Sequence, residues 1–226
     1  MKILELFSGT KSVSKAMLKL WPDAEVISVD ISPEYSPDIC TDVRTWNFYG
    51  ELEHGSVDVL WASPPCTHYS LANKGQRDLD TADECVQAVF KMIDYLQPTA
   101  WFVENPATGM LQKRDFMKLY APYRKCTCYC HFGKPYRKAT NIWTNVDVRL
   151  PMCDRETPCE QFRRYNHHKS TAQKGPSKLS GGQWARGHPT SELWTVPEAL
   201  VHTLCKASGI PSGQVNESSR PVTTQD

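Results

Sequence analysis

Two constellations in this chain combine reactive side chains with rigid neighbours: Pro64-Pro65-Cys66 and Glu104-Asn105-Pro106. A cysteine thiolate is a strong nucleophile that can later be eliminated, so it suits transient covalent addition. The two prolines fix the backbone ahead of Cys66 and present its sulfur rigidly. A carboxyl group such as Glu104 can assist the adduct by hydrogen bonding or proton donation, with Asn105 and Pro106 holding it in position. Two further segments have the makings of a ligand site. Phe7-Ser8-Gly9-Thr10 contains a glycine that permits close backbone approach, and Asp30 is an acidic side chain able to accept both hydroxyls of a ribose. Taken singly, each has a plainer explanation: a core cysteine, a turn glycine, a capping aspartate. What raises them above that is their order along the chain.

The elements that must position these residues follow from hydrophobic periodicity. Ile3 to Phe7 reads as a buried strand, and Val13, Ala16, Met17 and Leu20 as the face of a helix ended by Trp21-Pro22. Glu25 to Val29 is a second strand ending at Asp30, and Val57 to Ala62 a third, stopped by Pro64-Pro65. A helix is predicted over Ala82 to Leu96, then a strand over Trp101 to Val103 ending at Glu104. This rhythm predicts an α/β fold, a mostly parallel sheet with helices on both faces, whose ligands sit at the carboxyl ends of the strands. All four candidate segments fall at such ends. From Asp147 to Thr195 periodicity fades into a loop-rich stretch of Pro, Gly, Lys and Arg, and Glu198 to Ala207 forms a last helix. The expected organisation is a main domain of residues 1–146 and 196–210, a small lobe of 147–195, and a disordered polar tail of 211–226.

Read together, these motifs resemble the cytosine-C5 DNA methyltransferase family, especially its small, phage-like members. Phe7-Ser8-Gly9 resembles the family's first motif, Asp30 stands at the acidic position of the second, and Asp42 in Thr41-Asp42-Val43 resembles the residue that pairs with the adenine amino group. Pro64-Pro65-Cys66, followed by Ser70, matches the nucleophile motif, and Glu104-Asn105-Pro106 the motif of the catalytic glutamate. Pro135-Tyr136-Arg137-Lys138 through Trp143-Thr144-Asn145 resembles the eighth motif, with Arg137 as its clear arginine. The resemblance covers residues 1–145 well and returns near Val196 to Ala207. It implies a Rossmann-like class I methyltransferase fold with a target-recognition insertion at 147–195, S-adenosylmethionine or a derivative of it as donor, and DNA as partner. Cys66 would add to C6 of a flipped cytosine, Glu104 would assist at N3, and Arg137 would contact the cytosine carbonyl or a phosphate. The implied cofactor contacts are Phe7, Ser8, Gly9, Thr10, Lys11, Asp30, Ile31, Asp42, Val43 and Pro64. Lys11 either reaches the donor's carboxylate or faces solvent. A cation there is also compatible with a donor bearing an extra anionic group, such as a carboxylated methyl. A tRNA cytosine substrate and an inactive DNA-binding relative are the other readings. A nicotinamide enzyme is disfavoured because the first turn lacks a full G-x-G-x-x-G.

Composition adds limits. Lys and Arg number 26 against 25 Asp and Glu, so the net charge of +1 neither demands nor excludes nucleic acid. The basic residues gather between Lys113 and Arg186, which suits either an ordinary solvated face or a DNA-facing lobe. No leader precedes the first strand and no apolar run approaches a membrane span, which predicts a cytoplasmic protein of a bacterium or a phage-infected host, without membrane contact. One active site suffices to flip one base, so a monomer is expected. Nine cysteines in a reducing compartment are thiols, ligands or catalysts before disulfides. Cys153, Cys159 and His168, with Cys130 upstream, form either a structural zinc site or a set of unrelated thiols.

Overall fold

The computed structural model describes residues 1–71, 73, 75–172, 177–178, 184–185 and 187–211. Its centre is one seven-stranded sheet. The strands are β1 (Lys2–Leu6), β2 (Glu25–Asp30), β3 (Ile39–Cys40), β4 (Val59–Ala62), β5 (Ala100–Pro106), β6 (Arg124–Cys128) and β7 (Ala139–Thr144). They lie in the order β3-β2-β1-β4-β5-β7-β6. β7 runs antiparallel to both its neighbours, and the remaining pairings are parallel. This is the mostly parallel, Rossmann-like α/β sheet that the motif order implied. The switch point of the strand order lies between β1 and β4, where an open sheet of this kind leaves a crevice for ligand.

Alternation along the strands feeds two cores. Leu4, Leu6, Leu60, Ala62 and Val103 point to one face and pack with Val86, Val89, Phe90, Ile93 and Leu96 of α2 (Leu79–Leu96, after α1). Ile3, Val59, Trp61, Ala100 and Phe102 point to the other and pack with Val13, Ala16 and Met17 of α1 (Ser12–Leu20). The period of two along each strand produces this division, because successive side chains leave opposite faces of the pleat. Asp78 caps α2 by accepting from the Thr81 amide, so the helix starts a turn earlier than its apolar periodicity alone predicts.

β5 is longer than expected. The predicted strand stopped at Val103, yet pairing continues through Glu104, Asn105 and Pro106 opposite Ile142, Asn141 and Thr140 of β7. The antiparallel partner, which has no local signature at residues 104–106, carries the strand on past its apolar run.

Beyond β7 the described chain is irregular, apart from α3 (Glu160–Tyr165), α4 (Thr190–Trp194) and a two-stranded ribbon of Ser177–Lys178 with Trp184–Ala185. It then returns to the sheet as α5 (Glu198–Ala207), whose Leu200, Val201, Leu204 and Cys205 join the core beneath α1. The Trp21 indole donates to the Pro211 carbonyl at 2.9 Å and fastens the chain after α5 to the end of α1. No described helix is long and apolar enough to cross a membrane. Residues 212–226, most of the expected tail, lie outside the described residues, as do 173–176, 179–183 and 186 of the expected lobe.

Candidate active site

The carboxyl ends of β1, β2, β4 and β5 surround a cavity of about 340 Å³. Phe7, Ser8, Gly9 and Thr10 line it from the turn after β1, Asp30 and Ile31 from the end of β2, Pro64, Pro65 and Cys66 from the loop after β4, and Glu104 and Pro106 from β5. The first turn is bent sharply. Phe7 and Gly9 both take positive φ, 57° and 44°, a conformation natural for glycine and strained for phenylalanine. Asp30 holds this turn in place: its Oδ2 accepts from the Gly9 amide at 2.9 Å while Oδ1 accepts from the Ser32 amide at 2.9 Å. The Ser8 hydroxyl is buried and has no partner among the described residues. Ile31 is exposed, at 65%, unusual for an isoleucine beside a cavity.

Cys66 and Glu104 reach this cavity from adjacent strands, and Asn105 locks the two motifs together. Its Nδ2 donates to the Pro64 carbonyl at 3.0 Å in a buried setting. Glu104 is buried and accepts from the Tyr129 hydroxyl at 2.9 Å. Burial, reinforced by the Glu104 charge, holds the Tyr129 proton firmly, so the phenol acts as a fixed donor. Lys138 Nζ stands 3.9 Å from Glu104 Oε1, 4.6 Å above the Tyr129 ring centre, and donates to the Leu193 carbonyl. Burial and then the Glu104 carboxylate push the Cys66 thiol above its ordinary range, while Lys138 pulls it back. The site therefore pairs a protonated nucleophile with a buried carboxylate and one compensating cation.

The loop after Cys66 is anchored by groups that sequence patterning does not single out. Tyr69 is fully buried and donates to Asp83 of α2 at 2.8 Å. Arg114 grips the same carboxylate, with Nε 2.8 Å from Oδ2. On the other side, Glu5 of β1 is buried at the cavity wall and accepts from both the amide and the hydroxyl of Ser14 in α1. Burial raises the Glu5 carboxyl to about 7, the Ser14 hydrogen bonds working against it.

Four expected site residues stand elsewhere. Lys11 takes a left-handed conformation, and its Nζ donates to the Ser36 carbonyl at 2.7 Å. Asp42 is clasped by Arg44, which lowers its carboxyl, and Val43 is buried in the core. Arg137 donates from Nε to the Cys153 carbonyl at 3.0 Å. None of the four lines the cavity, where Lys138, Glu5, Tyr35, Trp194 and Val196 take part instead. The adjacent Arg137-Lys138 pair is ambiguous in sequence. Both residues lie in the irregular segment just before β7, and their places are set by tertiary approach, which brings Lys138 to Glu104.

The four candidate metal ligands do converge, away from this cavity. One ligand atom each from Cys130, Cys153, Cys159 and His168 lies within 4.8 Å of all the others.

Residues 1–119 match the family model for C-5 cytosine-specific DNA methylase. A protein of Frog virus 3 (isolate Goorha), named "Probable DNA (cytosine-5)-methyltransferase", is 29% identical over 221 residues, covering 90% of this chain and 98% of the viral one. Among solved structures, a methyltransferase of Entamoeba histolytica aligns with a TM-score of 0.49 and 16% identity, over 68% of this chain and 57% of that one. A mutant DNMT2 of Spodoptera frugiperda aligns with a TM-score of 0.46 and 18% identity, over 70% and 57%. The chain spans little more than half the length of these solved proteins, and its fold is assigned from its own strand order.

Proposed function

The chain belongs to the C-5 cytosine-specific DNA methylase family, and from that membership we propose that it transfers a methyl group from S-adenosylmethionine to carbon 5 of cytosine in DNA. The observation that carries this reading is the Asn105–Pro64 hydrogen bond, which fixes the Cys66 loop to the strand of Glu104 over one cavity. The first half of that cavity fits the donor. Ser8 offers a buried hydroxyl without a partner among the described residues, Gly9 a turn with no side chain to obstruct approach, Asp30 a carboxylate at a strand end, and Ile31 an exposed apolar surface. When bound, S-adenosylmethionine supplies an electrophilic methyl on a positively charged sulfur.

The protein's own residues perform the rest. Carbon 5 of cytosine is too electron-poor to take a methyl group unaided. Cys66 Sγ, as thiolate, adds to carbon 6 and converts the ring to an enamine that is nucleophilic at carbon 5. Glu104 faces ring nitrogen 3, holding a hydrogen bond or proton there as negative charge develops. Tyr129 and Lys138 hold that carboxylate from behind. After transfer, loss of the carbon 5 proton lets the sulfur leave and restores the aromatic ring. Carbon 6 is unreachable inside a duplex, so the cytosine must leave the stack to enter the cavity.

Purified protein incubated with unmodified DNA and labelled S-adenosylmethionine, followed by nucleoside mass spectrometry, tests this. The expected product is 5-methylcytosine, absent with Cys66→Ala. Modified cytosine in RNA but not DNA, or a cytosine carrying a mass other than methyl, would replace the substrate or the donor in this reading. Undiminished product from Cys66→Ala would end it.

A further inference from the structure

Residues 147–172 have almost no apolar interior. Between Asp147 and Ala172 the only buried residues are Cys153, Cys159 and Ser170, and no side chain of α3 is buried. Met152 and Phe162 are half-buried against a cluster whose buried members are Cys128, Cys130, Cys153 and Cys159. A segment of this length with no buried aliphatic or aromatic side chain has too little hydrophobic stabilisation to offset its conformational entropy. Something else must order it.

We propose that Cys130, Cys153, Cys159 and His168 bind a structural zinc ion that fastens this lobe to the sheet. The donor set is three thiols and one imidazole, a usual composition for closed structural zinc. Zinc–sulfur bonds of about 2.3 Å and zinc–nitrogen bonds of about 2.0 Å at tetrahedral angles place sulfur about 3.6 Å from nitrogen. His168 Nε2 lies 3.4 Å from the sulfurs of both Cys153 and Cys159, and all four ligand atoms fall within 4.8 Å. The three cysteines are free and buried, with exposures of 6%, 4% and 0%. Shared solvent exposure therefore does not account for their convergence. Cys128 is buried beside them, but its sulfur contacts the Met152 sulfur at 3.9 Å and stands outside the set.

The ligands join two parts of the molecule. Cys130 lies in the turn Tyr129–Phe132 between β6 and β7, directly after the Tyr129 that donates to Glu104. The other three ligands belong to the lobe. Four hydrogen bonds cross the same junction: Thr127 Oγ1 to the Pro151 carbonyl, Arg137 Nε to that of Cys153, Gln161 Nε2 to that of Lys134, and the Ser170 amide to that of Pro135. The ion would thus set the lobe against the segment that runs from Cys130 through Lys138 into β7. This inference is independent of the proposed methyl transfer.

Full-length protein expressed with added zinc and purified without chelator should carry one zinc per chain by elemental analysis. Cys128→Ala and Cys66→Ala should retain it, while Cys159→Ser and His168→Ala should lose it. Cobalt(II) exchanged into the wild type should give thiolate charge-transfer absorption and the intense d–d bands of a tetrahedral site. In case the ligand variants fail to fold, the wild type itself provides a second readout. Cys153 and Cys159 should resist iodoacetamide until a zinc chelator is added, with cleavage by protease then beginning between residues 147 and 172. Absence of stoichiometric zinc, together with alkylation of these cysteines that a chelator does not change, would overturn the proposal. So would full zinc occupancy in a folded Cys159→Ser protein.

Discussion

The Cys66 thiol is the group whose protonation governs the proposed chemistry. Burial and Glu104 raise it and Lys138 lowers it, so at neutral pH it is held as thiol and the reactive thiolate becomes commoner as pH rises. The rate of a single turnover is expected to climb with pH on the alkaline side of neutrality. Lys138→Met should move that limb to higher pH and slow transfer near neutrality, because the cation that favours the thiolate is gone. Superimposable pH profiles for the two proteins would rule out this role for Lys138. Asn105→Ala leaves the Pro64 carbonyl buried without its donor, a loss of about 1–3 kcal/mol. It should depress kcat more than donor binding, measured by separate kinetic and calorimetric titrations. Cys66 and Glu104 were legible because rigid prolines flank both. Lys138 was not, since its significance comes from a 3.9 Å approach to Glu104 that no local pattern announces.

Among the elements, the β1–α1 unit is set by a buried acid. Glu5 has a carboxyl raised to about 7 from an ordinary 4.5. The folded protein therefore binds a proton that the unfolded chain releases between those values, and stability falls as pH rises through that window, then levels off. Glu5→Gln keeps an acceptor for the Ser14 amide and hydroxyl and removes the titration. It should flatten this decline and be the more stable protein above neutrality by about 3 kcal/mol. Urea melts at about pH 5 and about pH 8 measure the difference; a wild type whose stability rises across this interval would show that Glu5 is not raised. The parallel strands β1, β2, β4 and β5 and the helices α1 and α2 could be predicted from apolar period alone, whereas β3, two residues long, could not. The extension of β5 to Pro106 could not, because it depends on a partner some 35 residues away in sequence. The expected adenine contact at Asp42 failed to reach the cavity for a related reason. Arg44, two residues on, captures its carboxylate.

For the molecule as a whole, the helix that completes the core is the last one among the described residues. Leu204 of α5 is fully buried beneath α1, so Leu204→Ala should cost about 2–5 kcal/mol and, by loosening α1 and the turn before it, weaken donor binding. Glu198→Gln in the same helix removes an exposed pair with Lys19 and should leave stability nearly unchanged, since water and salt screen such pairs. Chemical denaturation of both variants separates packing from surface charge, and equal losses would contradict this division. The return of the chain at Val196 to Ala207 was visible in the sequence, whereas the convergence of the cysteines with His168 was one of two readings it left open. What holds the intervening lobe in place was not, since hydrogen bonds such as Gln161 to Lys134 leave no periodic trace.

The order of elements along the chain also has a consequence for its birth on the ribosome. β1 and α1 are made first and lie at the middle of the sheet, yet the helix that shields them, α5, emerges last. Until then the side of α1 that meets α5, where Ala16 and Lys19 contact His202 and Glu198, lacks that cover. A nascent chain arrested near residue 195 should therefore stay open to protease throughout its first half and be a natural client for chaperones, while some twenty more residues outside the exit tunnel should close it at once.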